Sequence, residues 1–118
     1  ADEIYVVGSN KLSSKLKKVV DDADQRDKTL KFNYYYDQPN DPERLYYRSD
    51  HYNYAASGVP VVFFFDGVHE DYHKVSDEVS KIDFDKMRRV ANNVVGLLTS
   101  FANRPVRLSV DLPLDDAK

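Results

Sequence analysis

The sequence predicts an α/β fold in which a mixed sheet is flanked by helices. An unbroken apolar run at residues 59–65 ends at Asp66 and Gly67, which is typical of a buried strand. Residues 30–36 alternate in polarity with the period of a half-buried strand, and residues 12–23 and 84–101 repeat apolar side chains at helical spacing. Because no linker, repeat or low-complexity block interrupts the sequence, we expect residues 1–118 to form a single α/β unit.

Composition excludes several classes of function. The formal net charge of −3 provides no basic surface for nucleic acid or an anionic membrane. The longest apolar run is far shorter than the roughly 20 residues of a membrane span. The sequence contains no cysteine, so histidine and carboxylate side chains are the remaining candidates for metal ligands. We therefore expect no nucleic-acid partner and no membrane partner.

The first third of the chain predicts a strand followed by a helix. Residues 4–7 are a short β-branched and aromatic run, and Gly8, Ser9 and Asn10 then favour a turn. The next segment has one apolar stripe, and its lysines are expected to point to water. The stripe consists of Leu12, Leu16, Val19, Val20 and Ala23, and the lysines are Lys11, Lys15, Lys17 and Lys18. Residues 37–43, rich in proline and aspartate, predict a loop.

The second half predicts a short helix and a long one. Ser49 can cap a helix that runs to Ser57, and Gly58 then favours a left-handed stop before the strand at residues 59–65. Asp83 caps a helix of about five turns that ends near residues 103–105. Its stripe of Phe84, Met87, Ala91, Val94, Leu98 and Phe101 is expected to lie in the core. Residues from 106 onward are expected to form an edge strand, and residues 115–118 to fray.

Polar side chains follow the apolar strand directly. His69, Glu70, Asp71, Tyr72 and His73 lie within eight residues of its end. Because ligands of open α/β sheets collect outside the carboxyl ends of strands, we expect the chemistry of the chain to lie in this loop.

The same loop contains the pattern H-E-x-x-H, which binds zinc in one group of proteases. That motif requires a helix that presents two histidines one turn apart. Here the pattern follows a strand and a turn, and no glutamate after Glu78 could serve as a third ligand. We therefore interpret the match as accidental.

A set of ordered motifs covering nearly the whole chain provides a more specific indication. They are Arg48-Ser49-Asp50-His51-x-x-Tyr54, then Gly58-Val59-Pro60, then Phe65-Asp66-Gly67, then Asp71-Tyr72-His73 with Asp77 four residues later. This pattern resembles the C-terminal part of the two-zinc aminopeptidases, whose relatives include glutamate carboxypeptidase and glutaminyl cyclase. The resemblance implies a partial zinc-exopeptidase sandwich of the phosphorylase/hydrolase-like type, and it implies that residues 1–118 are the C-terminal part of a catalytic domain.

The resemblance also implies roles for individual residues. His73 matches the last of five zinc ligands, and Tyr72 matches a neighbour whose hydroxyl hydrogen-bonds the oxyanion of the tetrahedral intermediate. A neutral imidazole and a phenol donor suit these two roles chemically. Arg48 matches an arginine that positions substrate, and Phe65 matches a wall of the pocket for the substrate's first side chain.

Five further residues match positions near the family's site. Asp50, His51 and Asp77 match residues that we interpret as orienting the metal ligands by hydrogen bonds. The alternative for each is a local cap or turn contact, and the two interpretations stay open. For His69 and Glu70 we expect contacts that shape the loop.

The departures from the family pattern limit what this chain can do alone. The other four ligands of the two zinc ions, and the glutamate that acts as general base, belong to segments that precede these residues in the family. The resemblance therefore implies that the chain alone neither holds zinc stably nor acts as an enzyme. Tyr54, Val75 and Glu78 also replace the residues common in the family, and Glu78 adds a carboxylate near the site.

Three functions are compatible with these patterns. The first is the C-terminal portion of a zinc exopeptidase that removes N-terminal residues from peptides. The second is a non-catalytic binding module that retains the fold, which exposed tyrosines at residues 34–36 and 46–47 would favour. The third is a complete small hydrolase built from His51, His69 and His73. Besides a peptide substrate, the partners we expect are a second copy of the chain or the missing N-terminal part. The resemblance slightly favours a secreted or periplasmic location.

Overall fold

The structure, a computed structural model, describes residues 2–114, and within them it contains a mixed sheet with flanking helices. Strands β1 (Glu3–Val7), β2 (Lys31–Asn33) and β3 (Phe63–Phe65) lie in the order β2-β1-β3. β1 is parallel to β2 and antiparallel to β3. The helices are α1 (Leu16–Arg26), α2 (His51–Ala56) and α3 (Phe84–Ala102). The α/β prediction is confirmed.

The most buried strand is β1, not the apolar run that the sequence favoured. Val6 and Val7 of β1 are buried on opposite sides of the sheet, whereas Phe63, Phe64 and Phe65 are each only half-buried. β3 is an edge strand of the described sheet, so it packs against a neighbour on one side only. Because β3 is antiparallel to β1, the loop after it lies at the amino end of β1. The loop therefore follows the carboxyl end of β3 but does not share an edge of the sheet with the carboxyl ends of β1 and β2.

Helix α1 buries the predicted stripe from Leu16 onward, which fixes the helix against the sheet. Leu12 lies in the preceding turn, in a left-handed conformation with φ of 65°. The expectation that Lys11 points to water is wrong, because its side chain is buried with Nζ 5.2 Å from the centre of the Tyr46 ring. Contact with an aromatic face is favourable for an ammonium group that loses water.

The alternating segment at residues 30–36 forms a shorter strand than predicted. The Asn33 side chain accepts a hydrogen bond from the Tyr35 backbone N–H at 2.9 Å, and a 3₁₀ helix then spans Tyr35–Asp37. A local side-chain acceptor of this kind competes with continued strand pairing. The chain therefore turns at Asn33, and Asp37 reaches the end of β1.

Helix α3 has the predicted limits but not the predicted burial. Asp83 caps it by accepting from the Lys86 N–H at 3.0 Å, and Asn103 follows its last residue. Phe84, Met87 and Leu98 nevertheless retain 57%, 53% and 61% exposure, so their placement in the core is wrong. The three-stranded sheet and α1 meet only the face of α3 that carries Leu97.

The chain after α3 contains no strand in the described residues, so the predicted edge strand is wrong. Asp111 and Leu112 instead donate their backbone N–H groups to the Leu12 carbonyl, at 2.8 and 3.1 Å. Residues 115–118, which we expected to fray, lie outside the described residues. No helix formed by residues 2–114 combines the length and the apolar character needed to cross a membrane.

Gly8→Ala is expected to lower the free energy of unfolding by about 3 kcal/mol or more. Gly8 has φ of +99°, and an added Cβ would lie 2.7 Å from the Val61 carbonyl oxygen and 2.8 Å from Tyr46 Cε2. Gly58 has φ of +81° with nothing within 4 Å, so Gly58→Ala carries only the backbone strain of about 1–2 kcal/mol. Urea denaturation of both variants measures the difference, and equal losses would contradict the role given to steric contact.

Candidate functional site

The loop after β3 is a series of turns. The backbone N–H of Tyr72 donates to the His69 carbonyl at 3.0 Å, and that of Asp77 donates to the Lys74 carbonyl at 3.1 Å. Residues 69–73 are therefore not helical, which confirms that the H-E-x-x-H match is accidental. His69 Nδ1 accepts from the Asp71 N–H at 3.2 Å, which is a loop-shaping contact of the kind expected.

Tyr72 and His73 form a stacked pair within this loop. Their ring centres are 4.1 Å apart and their planes differ by 14°. His73 has φ of 57°, a left-handed conformation that histidine adopts more readily than most residues. The His73 side chain is exposed and Tyr72 is half-buried. The imidazole is thus held against a neighbouring ring while it stays open to a ligand.

Phe65 provides an apolar surface beside this pair. Its ring centre is 6.5 Å from that of Tyr72, and the two rings meet edge to face. On its other sides Phe65 packs against Tyr36 at 6.1 Å and Phe63 at 5.9 Å between ring centres. Its contacts with Tyr72 and Tyr36 are edge to face, and aromatic pairs of this kind contribute about 0.5–1.5 kcal/mol beyond the area they bury. Phe65 therefore stabilises Tyr72 in its position beside His73.

Arg48 lies on a different loop, just before α2. Its guanidinium donates to the Glu43 carbonyl oxygen at 3.4 Å and lies 3.8 Å from the Glu43 carboxylate. Within residues 2–114, Arg48 makes no hydrogen bond, ion pair or cation–π contact with Tyr72 or His73. Arg48 therefore does not interact directly with the pair, and its role at a substrate stays a prediction.

His51, Asp50 and Asp77 differ in how firmly they are held. Nε2 of His51 lies 2.7 Å from the Tyr46 carbonyl oxygen, and the imidazole stacks on Phe63 with ring centres 4.6 Å apart. Asp50 precedes α2 without accepting a capping hydrogen bond, and the carboxylates of Asp50 and Asp77 are exposed without a partner among the described residues. The side-chain cap proposed for Asp50 is therefore absent, and the ligand-orienting roles stay predictions.

An open cavity of about 710 Å³ separates this loop from α3. Its lining combines Phe64 and Met87 with acidic and basic side chains, including Glu70, Asp71 and Lys86. Lys86 pairs with Asp66 at the end of β3 and so ties α3 to the loop. The sequence analysis missed this cavity because it placed Met87 in the core, and the lysines spaced along residues 81–86 were the signal that could have indicated a polar face.

Asp71 is expected to titrate below its ordinary value of 3.8, because hydrogen bonds from Ser76 and then from Lys81, whose Nζ is 2.9 Å away, lower its pKa. Carboxyl NMR measures the midpoint. Ser76→Ala should raise it more than Lys81→Met does, since Ser76 makes the larger contribution. These contacts stabilise the turn at pH values above the ordinary pKa of Asp71, and they are lost as the pH falls through its lowered pKa. A wild-type midpoint at or above 3.8 would contradict this account.

Residues 2–114 do not form a complete metal site. No group of three histidine or carboxylate side chains within them converges on one point. The exposed imidazole of His73 can provide one nitrogen ligand, and structural or catalytic zinc requires at least three protein ligands. The described residues therefore fit a single ligand position.

In a comparison with protein-family models, the model of peptidase family M28 matches residues 2–98. The match includes the whole sheet, the loop with Tyr72 and His73, and most of α3. Searches of curated proteins and of solved structures returned no match. The family model thus covers most of the chain and the candidate site.

Proposed function

This chain belongs to peptidase family M28, and from that premise we propose that it is part of a zinc-dependent exopeptidase that removes N-terminal residues from peptides. His73 is one zinc ligand, and the other ligands and the general base come from residues outside 2–114. The observation that carries the proposal is the exposed imidazole of His73, stacked on Tyr72 in the loop after β3.

The surroundings of Tyr72 support its proposed role as the oxyanion donor. Its ring lies between Phe65 and His73, with centre distances of 6.5 and 4.1 Å, and its hydroxyl makes no hydrogen bond within residues 2–114. A pre-positioned donor that is not already engaged can stabilise a developing negative charge without reorganisation. Phe65, beside it, offers the apolar wall of a substrate pocket.

The chain alone is expected to be inactive. Hydrolysis of a peptide by this class of enzyme requires an activated water and a base that accepts its proton. One exposed histidine provides neither, and the described residues contain no further converging ligands. The peptide substrate is therefore bound and cleaved only when the remaining ligands are present.

The complete gene product and the 118-residue chain should be compared directly. Metal analysis should find two zinc ions in the complete product and none held stably by this chain. The complete product should hydrolyse an aminoacyl p-nitroanilide and reject its N-acetylated counterpart, which identifies an exopeptidase. A metal-free, inactive complete product would contradict the proposal. Zinc-dependent turnover by this chain alone would instead support a small complete hydrolase.

The structure does not favour the non-catalytic binding module. That function was expected to show an exposed aromatic surface at residues 34–36 and 46–47. Tyr46 is buried, Tyr34, Tyr36 and Tyr47 are half-buried, and Tyr35 alone among these five is exposed. The tyrosines of these segments are therefore occupied mainly with internal packing.

A further inference from the structure

An apolar groove of about 930 Å³ runs between α3, the β3 side of the sheet and the chain that follows α3. Val62 and Phe64 line one side, Val94 and Leu98 line the other, and Leu108 lies on the chain after α3. Leu98 is 61% exposed although it faces other apolar side chains. An exposed apolar surface of this extent is more often an interaction site than a surface that meets only solvent.

The groove is positively charged although the chain as a whole is negative. Among residues 2–114 its charged lining residues are Arg104 and Arg107, and no aspartate or glutamate in that range lines it. Nε of Arg104 is buried, and the Arg104 guanidinium makes no hydrogen bond or ion pair within residues 2–114. Buried donors in folded proteins almost always have an acceptor. Arg104 therefore lacks the acceptor that its position requires.

The outer edge of β3 borders the same region. β3 pairs with β1 on one side, and no backbone hydrogen bond reaches its other side from the described residues. Free strand edges are usually paired or covered by polypeptide. An acyl chain could fill the groove, but it could not satisfy the backbone groups of this edge.

We infer that the groove receives an apolar polypeptide segment that carries one carboxylate, and that this carboxylate pairs with Arg104. The inference rests on the proposed function, since the segment belongs to the part of the protein that supplies the missing zinc ligands. Burial of the groove and of the strand edge holds that part against α3. The pairing with Arg104 fixes the position of the segment along the groove, because a guanidinium binds a carboxylate in a defined geometry.

Cysteine labelling tests the inference because the chain has no cysteine of its own. Leu98→Cys places one thiol in the groove, and Lys18→Cys places one on the exposed face of α1. Maleimide should label the Leu98→Cys thiol at least about tenfold more slowly in the complete gene product than in this chain alone. The Lys18→Cys thiol should react at the same rate in both.

The Arg104→Gln variant tests the pairing with the carboxylate separately from the apolar contact. In the complete product it should lower the Tm and speed labelling of Leu98→Cys, because the carboxylate loses its partner. In this chain alone it should leave the Tm unchanged or higher, because the Arg104 guanidinium makes no hydrogen bond or ion pair with the described residues. Arg107→Gln, at an exposed position in the same groove, is the matched control.

Several outcomes would overturn the inference. Equal labelling of Leu98→Cys in both proteins would show that the groove is open. A complete gene product that contains no residues beyond these 118 would leave no segment to occupy the groove. In the isolated chain, the Leu98→Cys thiol could become better protected as the protein concentration rises, with a dimer seen by sedimentation. That result would identify a second copy of the chain as the occupant instead. Protection that is insensitive to Arg104→Gln would exclude the carboxylate. Protection without zinc or activity would refute only the proposed function.

Discussion

Replacing His73 by alanine in the complete gene product is expected to lower peptidase activity at least about 100-fold, because even residues that merely orient a metal ligand contribute 10–100-fold. The same variant should bind less zinc than the wild type, which metal analysis measures independently of activity. The fold should survive, since the His73 side chain is exposed and its ring contact is with Tyr72.

The backbone at His73 requires a second variant. Its φ of 57° is strained for alanine, so His73→Ala combines loss of the ring with local strain. Asparagine tolerates this conformation, and His73→Asn should lose activity to a similar degree with less effect on Tm. His69→Ala in the same loop is the control, and it should change activity by only a few fold. Full activity and full zinc content in His73→Ala would refute the assignment of His73.

Local signals in the sequence predicted the limits of several elements well. The Asp83 cap and the Asn103 end of α3 lie where the pattern placed them, and Gly58 has the left-handed conformation expected after α2. Each of these features depends on backbone groups within a few residues. Because all the groups involved lie within one short segment, these signals can be recognised without knowledge of the tertiary structure.

Burial could not be predicted in the same way. The apolar stripe of α3 is regular, yet Phe84 and Leu98 remain exposed because the described sheet and α1 reach only the Leu97 face. The same limit applies to β3, whose direction relative to β1 decides which edge of the sheet carries the loop with His73. Spacing indicates which side chains share a face, but it does not identify what that face meets.

Asp37 shows the limit most clearly. The sequence indicated a loop from its proline and aspartate content, and nothing local marked Asp37 as buried. In the structure it is 6% exposed, and its carboxylate accepts the N–H of Gly8 at 2.7 Å and the N–H of Ser9 at 3.2 Å. The Ser9 hydroxyl also donates to it. Gly8 and Ser9 are 29 and 28 residues from Asp37 in the sequence, which is beyond the range of any turn pattern.

Asp37→Ala is therefore expected to lower the free energy of unfolding by about 3–5 kcal/mol, since it leaves three buried donors without an acceptor at about 1–3 kcal/mol each before relaxation. For a domain of this size the loss corresponds to a fall in Tm of about 10–20 °C. Calorimetry and urea denaturation measure both quantities. Solvent water is the usual substitute for a lost acceptor, and it has little access to this site.

Asp111 provides the matched control. Its carboxylate accepts the Ser14 N–H at 2.7 Å and the Ser14 hydroxyl at 2.6 Å, so it repeats the backbone and hydroxyl contacts that Ser9 makes with Asp37. Asp111 is exposed, so water can replace its carboxylate after Asp111→Ala. The loss of Tm should be much smaller than for Asp37→Ala. Equal losses would show that burial does not determine the effect.

The pH dependence of the Asp37→Ala loss has an unusual sign. Burial raises the pKa of Asp37 above 3.8 and outweighs the hydrogen bonds from Ser9 and Gly8, which lower it. The native state therefore binds this proton more readily than the unfolded state does, so the contribution of Asp37 is full below pH 3.8 and declines as pH rises through the raised pKa. The difference in free energy of unfolding between wild type and Asp37→Ala should thus be larger in acid than at neutral pH. A difference that shrinks on acidification would mean that the hydrogen bonds outweigh burial and that the native pKa of Asp37 is lowered.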